Sequence, residues 1–160
     1  MFLLLVRHAR AEEIATSGRD ADRALTPDGV TRFAATAASL AHMIEPPRLW
    51  LVSPYLRARQ TAELLRKAFA ADGPLEVNDA LVPSADPMAI LTALSRRSIA
   101  SAVLVGHEPH LGQLLGWLLT GTAGASVPLK KGMAVGVEVD HVGSMPGQLV
   151  LAVSQRFTRS

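Results

Sequence analysis

The sequence predicts an α/β fold built on a largely parallel sheet of about six strands. Short apolar runs, often β-branched, alternate with helical patterns of roughly 10 to 16 residues, which is typical of consecutive βαβ units. Hydrophobic residues make up 49% of the 160 residues, enough to bury a sizeable core. The chain has no internal repeat, linker or low-complexity tract, so we expect one domain over residues 1–160.

The strands are the apolar runs, of which the third is weak. They are predicted over residues 2–6, 49–52, 75–77, 102–105, 133–139 and 148–153. The first run is too short for a signal peptide or a membrane span, and no other stretch approaches the length of about 18 apolar residues that a span needs. We therefore expect a cytoplasmic protein with no membrane partner.

The four predicted helices share one start signal, a proline at or next to the first helical position. In three of them a Ser, Thr or Asp precedes the proline and offers a side-chain cap. The starts and approximate ends are Thr26-Pro27 to Met43, Ser53-Pro54 to Ala70, Asp86-Pro87 to Ser95, and Pro109 to Thr120. Residues 9–25 lack any clear period and are rich in charge, so we expect a mobile loop there, near the functional site.

Composition excludes several classes of protein. The chain has no cysteine, which rules out disulfides, thiolate metal sites and a cysteine nucleophile. The formal net charge is only +2, and the basic residues are scattered singly or in pairs with few aromatics between them, so we expect no nucleic-acid partner. The Gly-rich loop of P-loop nucleotide hydrolases is also missing.

Cationic and imidazole side chains follow three of the predicted strands. Arg7 and His8 come after the first strand, Arg57 lies in the first turn of the helix after the second, and His107 comes after the fourth. Ligands of open α/β sheets collect beyond the carboxyl ends of the strands, where helix amino ends attract anions. Guanidinium groups match phosphate oxygens, so the sequence predicts a phosphate site. One histidine is then expected to be the nucleophile and the other a donor, with no metal or cofactor required.

Three motifs carry a resemblance to a known family. They are Leu5-Val6-Arg7-His8-Ala9, the run Ser-Pro-Tyr-Leu-Arg-Ala-Arg-Gln-Thr over residues 53–61, and Val105-Gly106-His107. Together they resemble the motifs of the histidine phosphatase superfamily, and the compact length and motif spacing most resemble its SixA-type phosphohistidine phosphatase branch. The resemblance implies a three-layer α/β/α sandwich without a lid domain. It also implies that His8 is the phosphorylated nucleophile and that Arg7, Arg57 and a protonated His107 bind the phosphoryl group.

Two departures from the family pattern bear on the substrate. Ala9 replaces the usual glycine, a change we expect to be tolerated. Residues 78–83 lack the glutamate with which the mutase branch protonates its leaving group, and Asp79 is the nearest substitute, ahead of Asp86 and Glu12. A missing acid favours phosphohistidine on a phosphorelay or phosphotransfer protein, because its imidazole leaving group accepts a proton readily.

Other interpretations stay open or are set aside. The chain is alternatively a phosphomonoesterase for a small metabolite or nucleotide with Asp79 as the acid, or a non-catalytic phosphate-binding module. Asp20 and Asp22 are spaced like the aspartates of haloacid-dehalogenase-like phosphatases but follow no strand, so we discount that class. We expect Ser53 to cap a helix, and His110 to lie on a helix surface or at the rim of the site, not in a metal centre.

Overall fold

The computed structural model describes residues 1–142 and 145–155. It contains six strands and four α-helices, with two short 3-10 turns at Asp20–Asp22 and Asp79–Leu81. The strands are β1 (Phe2–Arg7), β2 (Leu49–Val52), β3 (Glu76–Val77), β4 (Ser101–Gly106), β5 (Ala134–Glu138) and β6 (Gln148–Val153). The helices are α1 (Pro27–Met43), α2 (Leu56–Ala68), α3 (Pro87–Ser95) and α4 (His110–Thr120).

The six strands form one sheet in the order β3-β2-β4-β1-β5-β6. The first four in this order are parallel, and β5 and β6 run antiparallel to their neighbours. The prediction of a largely parallel six-stranded sheet is therefore confirmed. The order places β4 between β1 and β2, so the three strand ends that the sequence singled out are adjacent along one edge of the sheet.

Two apolar cores lie on opposite faces of the sheet. Alternate residues of β1 point to opposite sides, as the period of a strand requires: Leu3 and Leu5 belong to the core with α3 and α4, whereas Leu4 and Val6 belong to the core with α1 and α2. This gives the expected three layers, and no described element forms a separate lid domain. None of the described helices combines the length and the hydropathy that a membrane crossing requires.

The second helix begins later than the sequence predicts. We expected Ser53-Pro54 to open it, but it starts at Leu56, and Tyr55 at the N-cap position makes no side-chain cap bond. The other proline signals work as predicted: Thr26 Oγ1 caps α1 by accepting from Gly29, and Asp86 caps α3 by accepting from Met88. The capping prediction for Ser53 is wrong, because the helix starts two residues too late for it: Ser53 Oγ accepts from the N–H of Tyr55 at 3.4 Å, before the first helical residue, and has a second, closer partner described below.

Candidate active site

Two imidazoles lie side by side at the edge of the sheet. In the β1·β4 register Arg7 pairs with Gly106, and the next residue on each strand is a histidine. The main-chain N–H of His8 donates to the carbonyl of Gly106 at 3.0 Å, which continues the ladder one step past β1. The rings of His8 and His107 consequently lie with their centroids 5.0 Å apart, and both side chains are buried.

The His8 ring is held in one orientation by its own main chain. Nδ1 lies 2.7 Å from the carbonyl oxygen of Ala9, and because a carbonyl only accepts, Nδ1 is the protonated nitrogen. The lone pair of the ring is therefore on Nε2. Burial lowers the pKa of His8 to about 4, and the positive charges of Arg57, Arg7 and Lys131 favour the neutral ring further, although the bond to Ala9 opposes this. At neutral pH His8 is therefore an unprotonated imidazole with Nε2 available for attack.

Arg57 reaches the site from the first turn of α2. Its Nε donates to Nε2 of His8 at 3.3 Å, and its guanidinium carbon lies 4.9 Å from the centre of the Tyr55 ring. One helical turn later, Thr61 Oγ1 donates to the Arg57 carbonyl at 2.7 Å and accepts from the N–H of Ala9 at 3.0 Å. The second motif thus fastens α2 to the segment that follows His8.

Arg7 is the second guanidinium of the site. Its NH1 donates to the carbonyl of Leu129 at 2.7 Å, and its buried Nε has no partner. The N–H of Leu129 in turn donates to Glu108 Oε1 at 3.1 Å, so a carboxylate holds the chain segment that holds Arg7. A buried donor without a partner is costly unless a ligand satisfies it. The Nε–H of Arg7 is consequently a donor that an anionic oxygen would satisfy.

His107 completes the group of four. Its Nε2 lies 2.8 Å from Ser53 Oγ, which is the partner that draws this hydroxyl away from helix capping. Its Nδ1 is buried without a partner. Burial, followed by the charges of His8 and Arg57, lowers the pKa of His107 to about 2. Without a bound anion the ring is therefore neutral at pH 7, in contrast to the protonated form that the sequence analysis expected with a phosphoryl group in place.

Comparisons with known proteins agree with this geometry. Residues 3–82 match the family model of the histidine phosphatase superfamily (branch 1). Phosphohistidine phosphatase SixA of Escherichia coli is 34% identical over 125 residues, which cover 76% of each chain. The chain belongs to the histidine phosphatase superfamily. Membership of this superfamily and the likeness to SixA identify it as a phosphatase.

Two further relatives extend the match. An uncharacterized protein of Picosynechococcus is 37% identical over 140 residues, covering 86% of this chain and 84% of the relative. A solved structure of the protein histidine phosphatase SixA complexed with tungstate has a TM-score of 0.86 and 26% identity, covering 98% of each chain. The fold and the compact size predicted from the sequence are thus those of a SixA-like member of the superfamily.

The loop over residues 9–25 contacts the site directly. Its 3-10 turn places Asp20 against Arg57, with Asp20 Oδ2 accepting from NH2 at 2.9 Å and the Asp20 carbonyl accepting from NH1 at 2.6 Å. The sequence analysis placed the loop near the site but considered Asp20 only as a nucleophile of another phosphatase class. An irregular, charged segment gives no signal for which of its carboxylates meets Arg57.

The three acids named from the sequence lie outside this cluster. Asp79 begins the 3-10 turn after β3 with an exposed side chain, and none of the hydrogen bonds of the described residues joins it to the site. Asp86 caps α3, and Glu12 is exposed. The role of Asp79 as general acid remains a prediction.

Two other residues differ from the sequence-based view. The prediction that His110 is a surface or rim residue is wrong: His110 is fully buried at the start of α4, and burial lowers its pKa. Lys131 was treated as one of several scattered basic residues, but its charge acts on His8, because the next residue, Gly132, donates its N–H to the carbonyls of Arg7 and His8. Within the described part of the chain, no group of three His, Asp or Glu side chains is placed to hold a metal ion.

Proposed function

We propose that the chain hydrolyses phosphohistidine on a phosphorelay or phosphotransfer protein, through a covalent intermediate on His8. The observation that carries the proposal is the state of the His8 ring. Nδ1 is committed to the Ala9 carbonyl, Nε2 keeps its lone pair, and the low pKa keeps the ring neutral at pH 7. These are the properties of an imidazole nucleophile.

In the first step Nε2 of His8 attacks phosphorus and forms an N–P bond. The bond from phosphorus to the substrate nitrogen breaks, and the departing imidazole keeps the electron pair and takes up a proton. In the second step water attacks the phosphohistidine, the N–P bond to His8 breaks, and inorganic phosphate leaves. His8 returns to its neutral form with the water proton passing to phosphate or solvent.

Three groups bind the phosphoryl oxygens in this proposal. Arg57 already points Nε at His8, Arg7 Nε is a buried donor without a partner, and His107 Nδ1 is a buried nitrogen without a partner. A phosphoryl group adds about two negative charges, which oppose the cationic neighbours of His107 and raise its pKa on binding. His107 then takes up a proton and donates to the anion as the transition state forms. Tungstate, which the related SixA structure contains, is a tetrahedral oxyanion of the kind these donors suit.

The surroundings of the acids favour phosphohistidine over a phosphate ester. Asp20 is the carboxylate hydrogen-bonded to Arg57, and although burial opposes its ionisation, Arg57 and Arg23 outweigh this and lower its pKa. It is consequently a poor proton donor at neutral pH. An alkoxide leaving group needs such a donor, whereas an imidazole nitrogen is protonated readily by solvent. The alternative, a phosphomonoesterase for a small metabolite or nucleotide, requires Asp79 to supply the proton.

The test is to trap the intermediate. The protein is mixed with a phosphotransfer protein labelled on histidine, quenched in alkaline detergent, and examined for label on its own chain. We expect an adduct that is stable to base and labile to acid, and that His8→Ala abolishes together with turnover. His42→Ala, an exposed histidine of α1, is the matched control and should retain both. Full activity of His8→Ala without any adduct would overturn the proposal.

The same assay separates the alternatives. Turnover is compared between the phosphohistidine protein, an aryl phosphate and a panel of monoesters, with EDTA present and with Asp79→Asn in parallel. Faster turnover of a monoester that Asp79→Asn removes would favour the phosphomonoesterase. Absence of hydrolysis on every substrate would favour a non-catalytic phosphate-binding module.

A further inference from the structure

We propose that Asp20 is a positioning residue that aims Arg57 at the reacting phosphorus. This inference rests on the proposed function, because it assigns Asp20 a part in binding the phosphoryl group at His8. Asp20 contributes two acceptors, its main-chain carbonyl and Oδ2, which lie 2.6 Å and 2.9 Å from NH1 and NH2 of Arg57. A pair of bonds of this kind fixes a planar guanidinium in both position and orientation.

The two bonds to Asp20 occupy one edge of the Arg57 guanidinium and do not involve its other edge. Asp20 occupies the terminal edge, formed by NH1 and NH2. The lateral edge, formed by Nε and NH2, then faces the imidazoles, with Nε 3.3 Å from His8 Nε2. Arginine has five N–H donors, of which Asp20 accepts from two and His8 Nε2 from the Nε–H. When Nε2 bonds to phosphorus, the Nε–H loses that acceptor, and the lateral edge then offers Nε and NH2 to the phosphoryl oxygens. Asp20 therefore directs Arg57 without competing for the edge that binds substrate.

The turn that carries Asp20 is itself braced. Asp20 Oδ1 accepts from Arg23 NH1 at 2.7 Å, and Arg23 Nε donates to the Glu12 carbonyl at 2.6 Å. At the end of the loop, the N–H of Leu25 donates to Gln60 Oε1 of α2 at 2.7 Å. The loop is thus tied to the same helix as Arg57. Asp20 acts from a braced turn and not from a free segment.

A second carboxylate on the same turn provides the control. Asp22 is partly exposed and pairs with Arg19 and the hydroxyl of Ser17, and none of the hydrogen bonds of the described residues joins it to Arg57. Asp20→Asn and Asp22→Asn remove the same charge from the same 3-10 turn. Each variant also loses one arginine pair within the loop, with Arg23 for Asp20 and with Arg19 for Asp22, whereas only the Asp20 variant loses the contact with Arg57. A difference between the two therefore reports the contact with Arg57.

The experiment measures kcat and KM for an aryl phosphate, and vanadate inhibition, for Asp20→Ala, Asp20→Asn and the two matched Asp22 variants. Asp20→Ala should lower kcat by about 10- to 100-fold, the scale of a misplaced catalytic group, and weaken vanadate by a similar factor. KM should change less than threefold. Asp20→Asn keeps an oxygen acceptor and should recover part of the loss, whereas both Asp22 variants should resemble the wild type. Thermal unfolding of all four checks that each is folded.

Two results would overturn the inference. Equal kcat for the Asp20 and Asp22 variants would show that Arg57 needs no partner in the loop. A lower KM with unchanged kcat in Asp20→Ala would show that Asp20 competes with substrate for Arg57. Either result is distinct from failure of the proposed function, since that is decided separately by the loss of adduct and turnover in His8→Ala.

Discussion

The two arginines of the site are anchored by opposite kinds of structure. Arg7 is held from the buried side, by the carbonyl of Leu129, whose own N–H is bound by the half-buried carboxylate of Glu108. Arg57 is the more buried of the two arginines, with 5% of its side chain exposed, but its partner Asp20 lies on a surface turn and is 54% exposed. One half of the candidate site is therefore anchored in the core, and the other half is anchored on a loop.

This difference in anchoring predicts which half of the pocket tolerates substitution. An anchor in the core has no room to follow an altered side chain, because packed interiors adjust little. An exposed turn can shift by a fraction of an ångström at small cost. The same substitution at the two arginines, or the removal of either anchor, should consequently reduce activity by different amounts.

The largest effect is expected from replacing each arginine with lysine. Lysine keeps the charge but cannot hold its anchor and present a second donor to the phosphoryl group. We expect Arg7→Lys to lower kcat/KM by about 10³-fold and Arg57→Lys by about 10²-fold, a range typical for the loss of one donor to a transition-state oxyanion. Arg59→Lys, on the exposed face of α2, is the control and should leave kcat/KM unchanged. A greater loss in Arg57→Lys than in Arg7→Lys would contradict the comparison.

The next largest effect is expected when the anchor of Arg7 is removed and the arginine itself is kept. Glu108→Ala leaves the N–H of Leu129 without its acceptor and frees the segment whose carbonyl holds Arg7. We expect kcat/KM to fall by about 10-fold and the free energy of unfolding to fall by about 1 to 3 kcal/mol, the cost of an unsatisfied buried donor. Urea unfolding and aryl phosphate hydrolysis measure the two quantities. Glu63→Ala, which removes an exposed carboxylate paired with Arg66, is the control.

Gly112→Ala tests the same anchor from the other side. A Cβ at this glycine would lie 2.7 Å from Glu108 Oε2, so the carboxylate has to move although its charge is kept. We expect a loss of kcat/KM similar to that of Glu108→Ala. A variant with normal activity would mean that the position of the carboxylate, as distinct from its presence, does not matter to Arg7.

The comparison also explains how much of the site the sequence predicts. Arg7, His8 and His107 follow strands, and parallel strands end at one edge of a sheet, so their meeting follows from the order of elements. Arg57 is found in the same way, from the helix after β2. These positions can be predicted from the sequence, because the order of strands and helices determines where their side chains lie.

The residues that support the four are not placed by such a rule. Asp20 lies in a loop without a period, and its contact with Arg57 depends on how that loop folds back over α2. Ser53 carries a helix-capping signal that is overridden by His107. His110 looks like a surface residue in a sequence but is fully buried where α4 starts. In each case tertiary packing, which no local pattern records, decides the partner.

The smallest effect, and the sharpest test of the two anchors, is the pH dependence of their contributions to stability. Burial raises the pKa of Glu108 above its ordinary value of 4.5, whereas the arginines beside Asp20 outweigh its burial and hold its pKa below 3.8. A carboxylate with a raised pKa favours folding less as it ionises, so the stability of the wild type relative to Glu108→Gln should fall as the pH rises from about 4.5 to 7. Asp20 stays ionised throughout that window. The cost of Asp20→Asn should therefore be constant there and should shrink only below pH 3.8.

Urea unfolding at several pH values measures both differences. Each is taken against the wild type at the same pH, so the contribution of the buried imidazoles, which both variants retain, cancels. Because those imidazoles have lowered pKa values, the absolute stability of all three proteins should fall as the pH drops below 6.5, the ordinary histidine value. The discriminating quantity is the slope of each difference. A flat line for Glu108→Gln together with a slope for Asp20→Asn would contradict this assignment, since it would place the carboxylate with the raised pKa on the exposed turn.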